Sequence, residues 1–472
     1  MHRLFAIGIL FIASVAFAKE PLPNIVIILA DDMGYGDARC YNPKSKIPTP
    51  NIDRLAREGM RFTDAHAPAS FCVPTRYGLM TGRYPHRANL NWRSRAIIAK
   101  GRTTIASALR EQGYATAMVG KWHLGFDGGP NYDYAKPLAG GPLDRGFDSY
   151  FGIAHSLDIV PYYYISGRKA VAAPTEKIGP RNTEGWSPIQ GEFWRGGAIA
   201  PGFKHDEVMP RFTAESVKYI EARNGKAQPF FLYVALPAPH TPWVPTKKFA
   251  KRTNNLYGDF VAMTDNTVGQ ILGAIDRAKL AKNTLVIFTS DNGPVWYPAD
   301  TKRFGHSAVT PLRGMKADAW EAGHRMPFIV RWSGTVKAGA VSDALICQTD
   351  FLATFAALTG RGLGDDEGED SENFLPVLTG KKKTARQQLI TGSNPKKLTL
   401  RQGDWKYIPF LGSGGFSPPR RVNPKPDGPR GQLYNLADDI GETINLWLQK
   451  PELVAAFKKE LARQIKPAPR TH

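Results

Sequence analysis

The chain has few cysteines and few acidic residues for its length, and both shortages limit what it can be. Only three cysteines occur in 472 residues, Cys40, Cys72 and Cys347, so a fold held together by a framework of disulfides is excluded. Acidic residues number 42 against 62 basic ones, which gives a formal net charge of +20. This excess favours polyanionic partners: nucleic acid, an acidic membrane surface or an anionic polysaccharide.

Long apolar runs are also scarce. One uncharged run extends from Phe5 to Ala18, follows His2 and Arg3, and ends in the small-residue pattern Ala16-Phe17-Ala18. It is shorter than the about 20 residues that a membrane span needs. The sequence therefore predicts a secretory signal peptide cleaved after Ala18, and a mature protein that is secreted or periplasmic. No later stretch is long and apolar enough to predict a membrane span.

The apolar content is sufficient for a large core. Hydrophobic residues make up 42% of the chain and aromatic residues 11%, which excludes global disorder. At roughly 150 residues per domain, the length fits about three domains, or one large α/β domain with a smaller one. We see no internal repeat and no low-complexity tract.

Apolar runs typical of buried strands alternate along the chain with amphipathic helical patterns. Strands are predicted at 24–30, 115–119, 230–235, 285–289 and 328–330, and helices at 50–58, 103–112, 212–222 and 257–278. This alternation predicts an α/β fold with a large mixed, mostly parallel sheet sandwiched by helices. Towards the C-terminus, 405–410 and a final helix at 451–465 predict a smaller α+β subdomain with a small antiparallel sheet.

Two segments lack a clear pattern. Residues 126–210 are rich in Gly, Pro and aromatic residues, and form either a substrate-binding surface or plain surface loops. Residues 362–373 are acidic and contain glycine, which indicates a linker in a solvated loop, with cation binding as the alternative. We therefore expect a signal peptide at 1–18, an N-terminal catalytic domain at 19–360 and a C-terminal subdomain at 361–472.

Polar side chains follow four of the predicted strands. They are Asp31 and Asp32, then Lys121 and His123, then His240, and finally Asp291 and Asn292. Because the functional crevice of an open parallel sheet lies beyond the carboxyl ends of its strands, these groups are predicted to meet at one edge.

Oxygen atoms are the ligands that this edge would offer to a metal ion. Asp31, Asp32, Asp291 and Asn292 supply only carboxylate and amide oxygens, which select Ca²⁺ or Mg²⁺ over zinc. Taken singly, each of these residues is also common as a turn former or helix cap. The set as a whole predicts a site for one hard cation.

A helix start is predicted near Cys72, in the segment 71–83. Pro74 suits the first turn of a helix, so Cys72 lies at or just before its N-terminus, where backbone N–H groups favour an anion. Arg76 adds a forked cation suited to tetrahedral oxyanions. Cys72 could be a thiolate nucleophile of low pKa, but a thiolate matches a hard cation poorly. The site calls for an oxygen nucleophile where the sequence encodes sulfur.

The same segment resembles the signature of the type I sulfatases, a family of the alkaline phosphatase superfamily that includes arylsulfatases and N-acetylgalactosamine-6-sulfatases. The family pattern Cys-x-Pro-Ser/Thr-Arg with a following Thr-Gly-Arg is matched by Cys72, Pro74, Arg76 and 81–83. Further stretches that resemble the family are 31–37, 120–125, 290–293, 312–316, 432–436 and 441–442, so the resemblance runs from about Asn24 to the C-terminal helix. Three positions depart from the pattern: Thr75, where Ser is commoner, Ala322 and Ser333.

The resemblance implies an alkaline-phosphatase-like fold and a mechanism for sulfate ester hydrolysis. A maturation enzyme would oxidise Cys72 to formylglycine, whose hydrate would bind Ca²⁺, or Mg²⁺, and attack sulfur through one hydroxyl. The metal ligands would be Asp31, Asp32, Asp291, Asn292 and residue 72 itself. Arg76 and Lys121 would stabilise the hydrate and the developing charge.

The resemblance also assigns roles in substrate binding and proton transfer. His240 and Lys316 would bind the sulfate together with Lys121, and one of the first two would protonate the leaving alcohol. His123 would accept a proton from the second hydroxyl, and Ser156 resembles a position that contacts sulfate in arylsulfatases. Taken singly, each such side chain is more often a core residue or a surface charge.

Three other functions remain as alternatives. The first is a phosphodiester or phosphonate monoester hydrolase of the same superfamily. The second is an inactive polyanion-binding protein, which the complete set of catalytic side chains disfavours. The third is nucleic-acid binding, for which no recognised motif is present. The positive charge and the expected export favour a sulfated polysaccharide or oligosaccharide as substrate.

Overall fold

The computed structural model describes residues 21–129, 132–392, 394 and 397–465. The predicted signal peptide at 1–18 lies outside the described residues. Within the part that is described, we find no helix that combines the length and the apolar character needed to cross a membrane. All three cysteines are free.

The described chain contains strands and helices in alternation through its first two thirds. The strands are β1 (Asn24–Asp31), β2 (Met60–Phe62), β3 (Ala65–His66), β4 (Ala115–Lys121), β5 (Ser149–Ile153), β6 (Tyr164–Ser166), β7 (Lys169–Ala170), β8 (Glu176–Ile178), β9 (Gly197–Ile199), β10 (Phe230–Pro239), β11 (Thr284–Ser290), β12 (Phe328–Arg331), β13 (Ala340–Ser342), β14 (Ile346–Cys347), β15 (Gln388–Thr391), β16 (Thr399–Gln402), β17 (Trp405–Ile408) and β18 (Gln432–Asn435). The helices are α1 (Pro50–Arg57), α2 (Cys72–Thr81), α3 (Ile105–Glu111), α4 (Val208–Glu221), α5 (Leu256–Arg277), α6 (Pro298–Phe304), α7 (Phe351–Thr359), α8 (Leu375–Leu378) and α9 (Pro451–Ile465).

A ten-stranded mixed sheet forms the centre of the molecule. Its strand order is β13-β2-β12-β11-β1-β10-β4-β5-β6-β7. The five strands from β11 to β5 are parallel, and the antiparallel pairs lie towards the two edges. Every residue of β1, β10 and β11 is buried, as expected for parallel strands covered on both faces. The predicted α/β fold is therefore confirmed.

The predicted elements are all present, and the differences concern their ends. The strand predicted at 230–235 runs four residues further, to Pro239, because its last residues still pair with β1 through Asp31. The helix predicted from residue 212 begins at Val208, directly after a 3-10 turn at His205–Glu207. Its third residue is Pro210, a position near the helix start where the missing N–H costs nothing.

The segment 126–210 is more regular than its sequence indicates. It supplies β5, which continues the parallel sheet beside β4, and then β6 and β7, which extend the same sheet antiparallel. These strands are two to five residues long, too short for a period-two pattern to be visible in the sequence. The interpretation of this part of the segment as plain surface loops is therefore wrong.

A second, four-stranded antiparallel sheet, β15-β16-β17-β18, packs with α9 at the C-terminal end of the chain. This is the small sheet with a terminal helix that the sequence predicts. The interpretation of 362–373 as a solvated linker is wrong for Glu367, Glu369 and Asp370, whose carboxylates form ion pairs with arginines. Glu369 lies 3.0 Å from Arg102 and 3.1 Å from Arg83, and Asp370 lies 2.9 Å from Arg87. The segment is thereby fixed against the N-terminal part of the chain.

A buried network of charged side chains joins the small sheet to the 3-10 turn at Glu321–Gly323, which precedes β12 of the large sheet. Nζ of Lys406, on β17, donates a 2.9 Å hydrogen bond to Oε1 of Glu321. It also forms an ion pair with Oε1 of Glu442, at 2.9 Å. The same Nζ lies 3.2 Å from Nε2 of His324. Lys406 and both glutamates are 1% exposed or less, so each charge depends on the others for stabilisation.

Replacing Lys406 with methionine is expected to lower the free energy of unfolding by about 3–5 kcal/mol, because it leaves buried carboxylates without their counter-charge. Urea denaturation followed by circular dichroism measures the effect. The matched control is Lys204→Met, which breaks an exposed pair with Glu207 and should change stability by about 1 kcal/mol or less. Equal effects of the two variants would contradict a structural role for the network.

Candidate active site

Strands β1, β4, β10 and β11 end at the same edge of the large sheet and carry the candidate site residues there. The registers align these ends: Ala30 pairs with Ser290 and Asp31 with Pro239. Gly120 has a φ of +122°, and a Cβ there would lie 1.9 Å from the carbonyl oxygen of Ala235. Only glycine allows β4 to approach β10 this closely just before Lys121. The predicted meeting of strand ends is what the structure contains.

Three carboxylates and one amide form a buried oxygen cluster at this edge. The backbone N–H of Asp32 lies 3.2 Å from Oδ1 of Asp291, and Nδ2 of Asn292 donates a 2.6 Å hydrogen bond to Oδ1 of Asp32. Asp31, Asp291 and Asn292 are fully buried, and Asp32 is 4% exposed. The four residues predicted as oxygen ligands therefore lie together, and we call them the oxygen cluster.

Two cationic side chains compensate part of this negative charge. Lys121 donates a short hydrogen bond to Oδ2 of Asp31, and Arg76 contacts Oδ2 of Asp291 through two nitrogens, at 2.8 and 3.0 Å. Burial alone would raise the pKa of Asp31, but Lys121, His240 and Arg76 hold it well below its usual range. Lys121 and Arg76 thus keep the Asp31 carboxylate ionised.

The residues of the oxygen cluster fit a divalent cation. Burial and the neighbouring Asp31 carboxylate raise the pKa of Asp291 to about 7, which shows that the cluster still lacks positive charge. Oδ1 of Asn292 is buried and has no hydrogen-bond partner among the described residues. An unpartnered amide oxygen beside three carboxylates is the donor set that Ca²⁺ and Mg²⁺ prefer.

Cys72 is the first residue of α2, as predicted, and its side chain reaches the oxygen cluster. Its Sγ lies 3.4 Å from Oδ1 of Asp31 and 3.4 Å from Nζ of Lys316. Burial raises the pKa of the Cys72 thiol well above its usual value, although Lys121 and Lys316 oppose the shift. The thiol is therefore neutral at ordinary pH, and the interpretation of Cys72 as a thiolate nucleophile of low pKa is disfavoured.

Three non-glycine residues beside the site adopt a positive φ. Asp32 has a φ of +64°, His123 of +58° and Ala317 of +75°. Such conformations cost on the order of 1 kcal/mol each and persist only where surrounding contacts impose them. The turn that carries Lys316 is imposed in this way: Lys316 N–H donates to Pro294 O at 2.9 Å, and Ala317 N–H to Ser70 O at 2.8 Å.

A cavity of about 460 Å³ opens above Cys72. Its lining brings together the predicted residues Cys72, His123, Ser156, His240 and Lys316. The lining also includes Phe71, Val73 and Pro74 of the segment 71–83, and the structure adds residues that the sequence did not point to: Leu90, Trp92, Arg93, Asp158 and Ile159. The cavity therefore has polar groups beside Cys72 and apolar walls around them, as ligand sites commonly do.

His240 and Lys316 both contact Asp32 at the floor of the cavity. Nζ of Lys316 lies 2.7 and 2.8 Å from the two carboxylate oxygens of Asp32, and Nε2 of His240 lies 3.7 Å from Oδ2. Although burial opposes it, the Asp32 carboxylate raises the pKa of Lys316 well above its usual value. Nδ1 of His240 contacts the carbonyl oxygen of Thr241, which leaves Nε2 directed towards the site.

His123 is a buried, neutral imidazole. Burial and the nearby Lys121 hold its pKa well below the usual value. Neither of its ring nitrogens has a hydrogen-bond partner within the described chain, and its ring packs edge-on against Trp92 at 4.7 Å. A neutral, unpartnered imidazole in a cavity can accept a proton.

Sequence reasoning missed the residues of the cavity wall. Trp92 and Asp158 lie in loops without a periodic pattern, and no motif marks them. The only sequence signal for Asp158 is its position two residues after Ser156. Both lie in the segment 126–210, for which a substrate-binding surface is one of the two interpretations.

Comparisons with known proteins show the family to which the chain belongs. The family model described as Sulfatase matches residues 23–361. An N-acetylgalactosamine-6-O-sulfatase of Bacteroides thetaiotaomicron is 34% identical, over 94% of this chain and 93% of that protein. A solved structure from the same organism, described in terms of the metabolism of multiple glycosaminoglycans, is 32% identical, covers 94% of this chain and 100% of that one, and has a TM-score of 0.82. The crystal structure of Ps i-CgsB in complex with k-i-k-neocarrahexaose is 25% identical, covers 94% and 93% of the two chains, and has a TM-score of 0.72.

Proposed function

The chain belongs to the sulfatase family and is a sulfuric ester hydrolase, and from this premise we propose that it removes sulfate from a sulfated polysaccharide or oligosaccharide. We include in the proposal a bound Ca²⁺, with Mg²⁺ as the alternative, and the conversion of Cys72 to formylglycine. One observation carries it: Cys72 stands between the oxygen cluster and a cavity that is open to substrate.

Asp31, Asp32, Asp291 and Asn292 are the proposed ligands of the cation. Once bound, a hard cation would supply a Lewis acid that polarises a sulfate oxygen and makes a coordinated hydroxyl more acidic. Arg76 and Lys121 each contact a carboxylate of the cluster, so their role in this proposal is to fix the ligand geometry and the net charge.

Residue 72 is the proposed nucleophile. A formylglycine there would supply, as the hydrated aldehyde, one hydroxyl that attacks sulfur and a second that allows the sulfate to be released. An oxygen nucleophile resolves the mismatch between sulfur and the all-oxygen surroundings. The neutral thiol that the structure contains is a weak nucleophile by comparison.

The remaining roles are sulfate binding, proton donation and proton acceptance, and we assign them to Lys316, His240 and His123. Lys316 keeps its proton, because its pKa is raised, and therefore suits the binding of the sulfate anion rather than proton donation. This leaves Nε2 of His240 as the proton donor to the leaving alcohol, an assignment that the sequence left open. His123, held neutral, is the proposed acceptor of the proton from residue 72, and Ser156 can donate to a sulfate oxygen.

The substrate class is inferred from charge and from the relatives. The relative from Bacteroides thetaiotaomicron acts on N-acetylgalactosamine-6-sulfate groups according to its name, and Ps i-CgsB binds a neocarrahexaose. The net charge of +20 is suited to attracting a polymer with many sulfates. The predicted signal peptide would bring the enzyme to such polymers outside the cytoplasm.

A matched salt titration tests the proposed substrate class. At low salt, kcat/KM for release of sulfate from a sulfated polysaccharide should exceed that for a small aryl sulfate, which carries a single negative charge. Raising the salt towards 0.1 M, where the Debye length is about 10 Å, should lower kcat/KM for the polymer by about tenfold or more and change the aryl sulfate much less. Released sulfate is quantified by ion chromatography.

The same assay separates the alternatives. Parallel salt curves for the two substrates would contradict the capture of a polyanion by the basic surface. Faster turnover of phosphonate monoesters or phosphodiesters than of any sulfate ester would favour the other hydrolases of the superfamily. Absence of turnover in fully matured protein would favour an inactive polyanion-binding protein.

A further inference from the structure

The loop that follows β5 places buried polar atoms at the cavity without giving them partners. Ser156 and Asp158 both line the cavity, and they are 3% and 6% exposed. Oγ of Ser156 and Oδ1 of Asp158 have no hydrogen-bond partner within the described residues. Because a buried acceptor without a partner costs about 1–3 kcal/mol, such atoms commonly mark a place that a ligand completes.

Arg195 holds one half of the Asp158 carboxylate and leaves the other half available. Nη1 of Arg195 donates to the backbone oxygen of Asp158 at 3.0 Å and also contacts Oδ2 of its carboxylate. The backbone N–H of Arg195 donates to the backbone oxygen of Asp158 at 3.2 Å. Tyr162 fixes this arrangement, since its hydroxyl donates to the backbone oxygen of Arg195 at 2.8 Å. Asp158 is therefore a fixed, charged acceptor with one unused oxygen.

The surroundings of Asp158 define which donor can use that oxygen. Sulfate groups only accept hydrogen bonds, so the ester group itself cannot satisfy a carboxylate. On a sulfated sugar the donors are the free hydroxyls of the ring. The apolar walls of the cavity, which include Trp92 and Ile159, suit the C–H faces of such a ring.

We propose that Asp158 accepts a hydrogen bond from a free hydroxyl of the sugar ring that bears the sulfate ester, and thereby determines specificity for a sugar. This rests on the proposed function, because it assumes that a sulfated sugar enters the cavity. A second consequence follows from the charge of Asp158: a sulfate at the position of that hydroxyl is rejected by repulsion between like charges. Aryl sulfates, which lack ring hydroxyls of this kind, gain nothing from Asp158.

The test compares wild type, Asp158→Ala and Asp158→Asn on one sulfated monosaccharide glycoside, its monodeoxy analogues and an aryl sulfate. The ratio of kcat/KM for the sugar to kcat/KM for the aryl sulfate should fall by about 10- to 100-fold in Asp158→Ala, the range expected for a hydrogen bond to a charged group. Asp158→Asn keeps an acceptor oxygen, so its ratio should lie between those of wild type and Asp158→Ala.

The deoxy analogues identify the hydroxyl through its coupling with Asp158. With wild type, kcat/KM for one analogue should be about 10- to 100-fold lower than for the parent sugar. For that analogue, Asp158→Ala should lower kcat/KM no further. The sugar with a second sulfate at that position should be a poor substrate for wild type and should improve relative to the monosulfated sugar in Asp158→Asn. Equal losses on the sugar and on the aryl sulfate, or the absence of coupling with any deoxy analogue, would overturn the proposal.

Glu192→Gln is the matched control. Glu192 pairs with Arg181 as Asp158 pairs with Arg195, in the same segment of chain, but it does not line the cavity. Its ratio of the two kcat/KM values should equal that of wild type. If wild type hydrolyses the aryl sulfate but no sulfated sugar, the proposed substrate class fails and the role of Asp158 fails with it. If sulfated sugars are hydrolysed without coupling, only the role of Asp158 fails.

Discussion

Replacing Cys72 with alanine is expected to lower kcat for sulfate ester hydrolysis by about 10⁴-fold or more, because position 72 supplies the attacking oxygen. The fold should remain, since the change removes a single sulfur atom at the start of α2. Activity is measured on an aryl sulfate, and the fold by thermal melting. In the active wild-type enzyme, peptide mass spectrometry should find residue 72 lighter than cysteine, because an aldehyde oxygen replaces the sulfur and two hydrogens are lost.

Cys347 provides the control for this prediction. It is buried to a similar extent, and burial raises the pKa of its thiol to about 11, but it packs in the core of the C-terminal part. Cys347→Ala should therefore keep the activity of wild type and the mass of residue 72. Full activity in a preparation whose residue 72 is unmodified cysteine would refute the formylglycine proposal.

The sequence predicts the site well where local rules place its residues. Asp31, Lys121 and Asp291 each lie at the end of a buried strand, and the strands of a parallel core end at one edge. Cys72 could be placed at a helix start because Pro74 fits the first turn. These inferences need only periodicity and the geometry of parallel sheets.

Other features depend on contacts between residues far apart in the chain, and local rules cannot supply them. Lys406 reaches Glu321 across 85 positions, and nothing near either residue indicates that they meet. Asp158 is held by Arg195 across 37 positions, in a segment whose strands are too short for a visible pattern. Specificity determinants in such loops are therefore found only when the structure brings their elements together.

The acidic segment at 362–373 shows that composition alone can also mislead. Its composition is typical of a solvated linker, yet Glu369 and Asp370 pair with arginines that lie more than 260 positions earlier. A net charge of +20 supplies many cations that a carboxylate can meet. Composition shows that a segment is charged, but only the fold shows whether its charges are paired.

Replacing Asp291 with asparagine is expected to lower kcat by about 10²-fold or more and to abolish stabilisation by calcium. The change removes one of the charges that the proposed cation requires, while the shape of the side chain is kept. After chelation and dialysis, added Ca²⁺ should restore the activity of wild type. It should also raise the melting temperature of wild type, because Ca²⁺ at a hundred times its Kd stabilises the folded state by about 2.7 kcal/mol. Neither response is expected of Asp291→Asn.

The melting measurement keeps this prediction independent of turnover, and Asp265→Asn controls for the loss of a buried aspartate. Asp265 accepts hydrogen bonds from the backbone N–H groups of Asn51 and Ile52, far from the oxygen cluster, and burial raises its pKa to about 6. Asp265→Asn should therefore keep the calcium response even if its melting temperature falls. Restoration of wild type by Zn²⁺ but not by Ca²⁺ or Mg²⁺ would contradict the assignment of a hard cation, because zinc prefers nitrogen and sulfur ligands to the carboxylate and amide oxygens of the oxygen cluster.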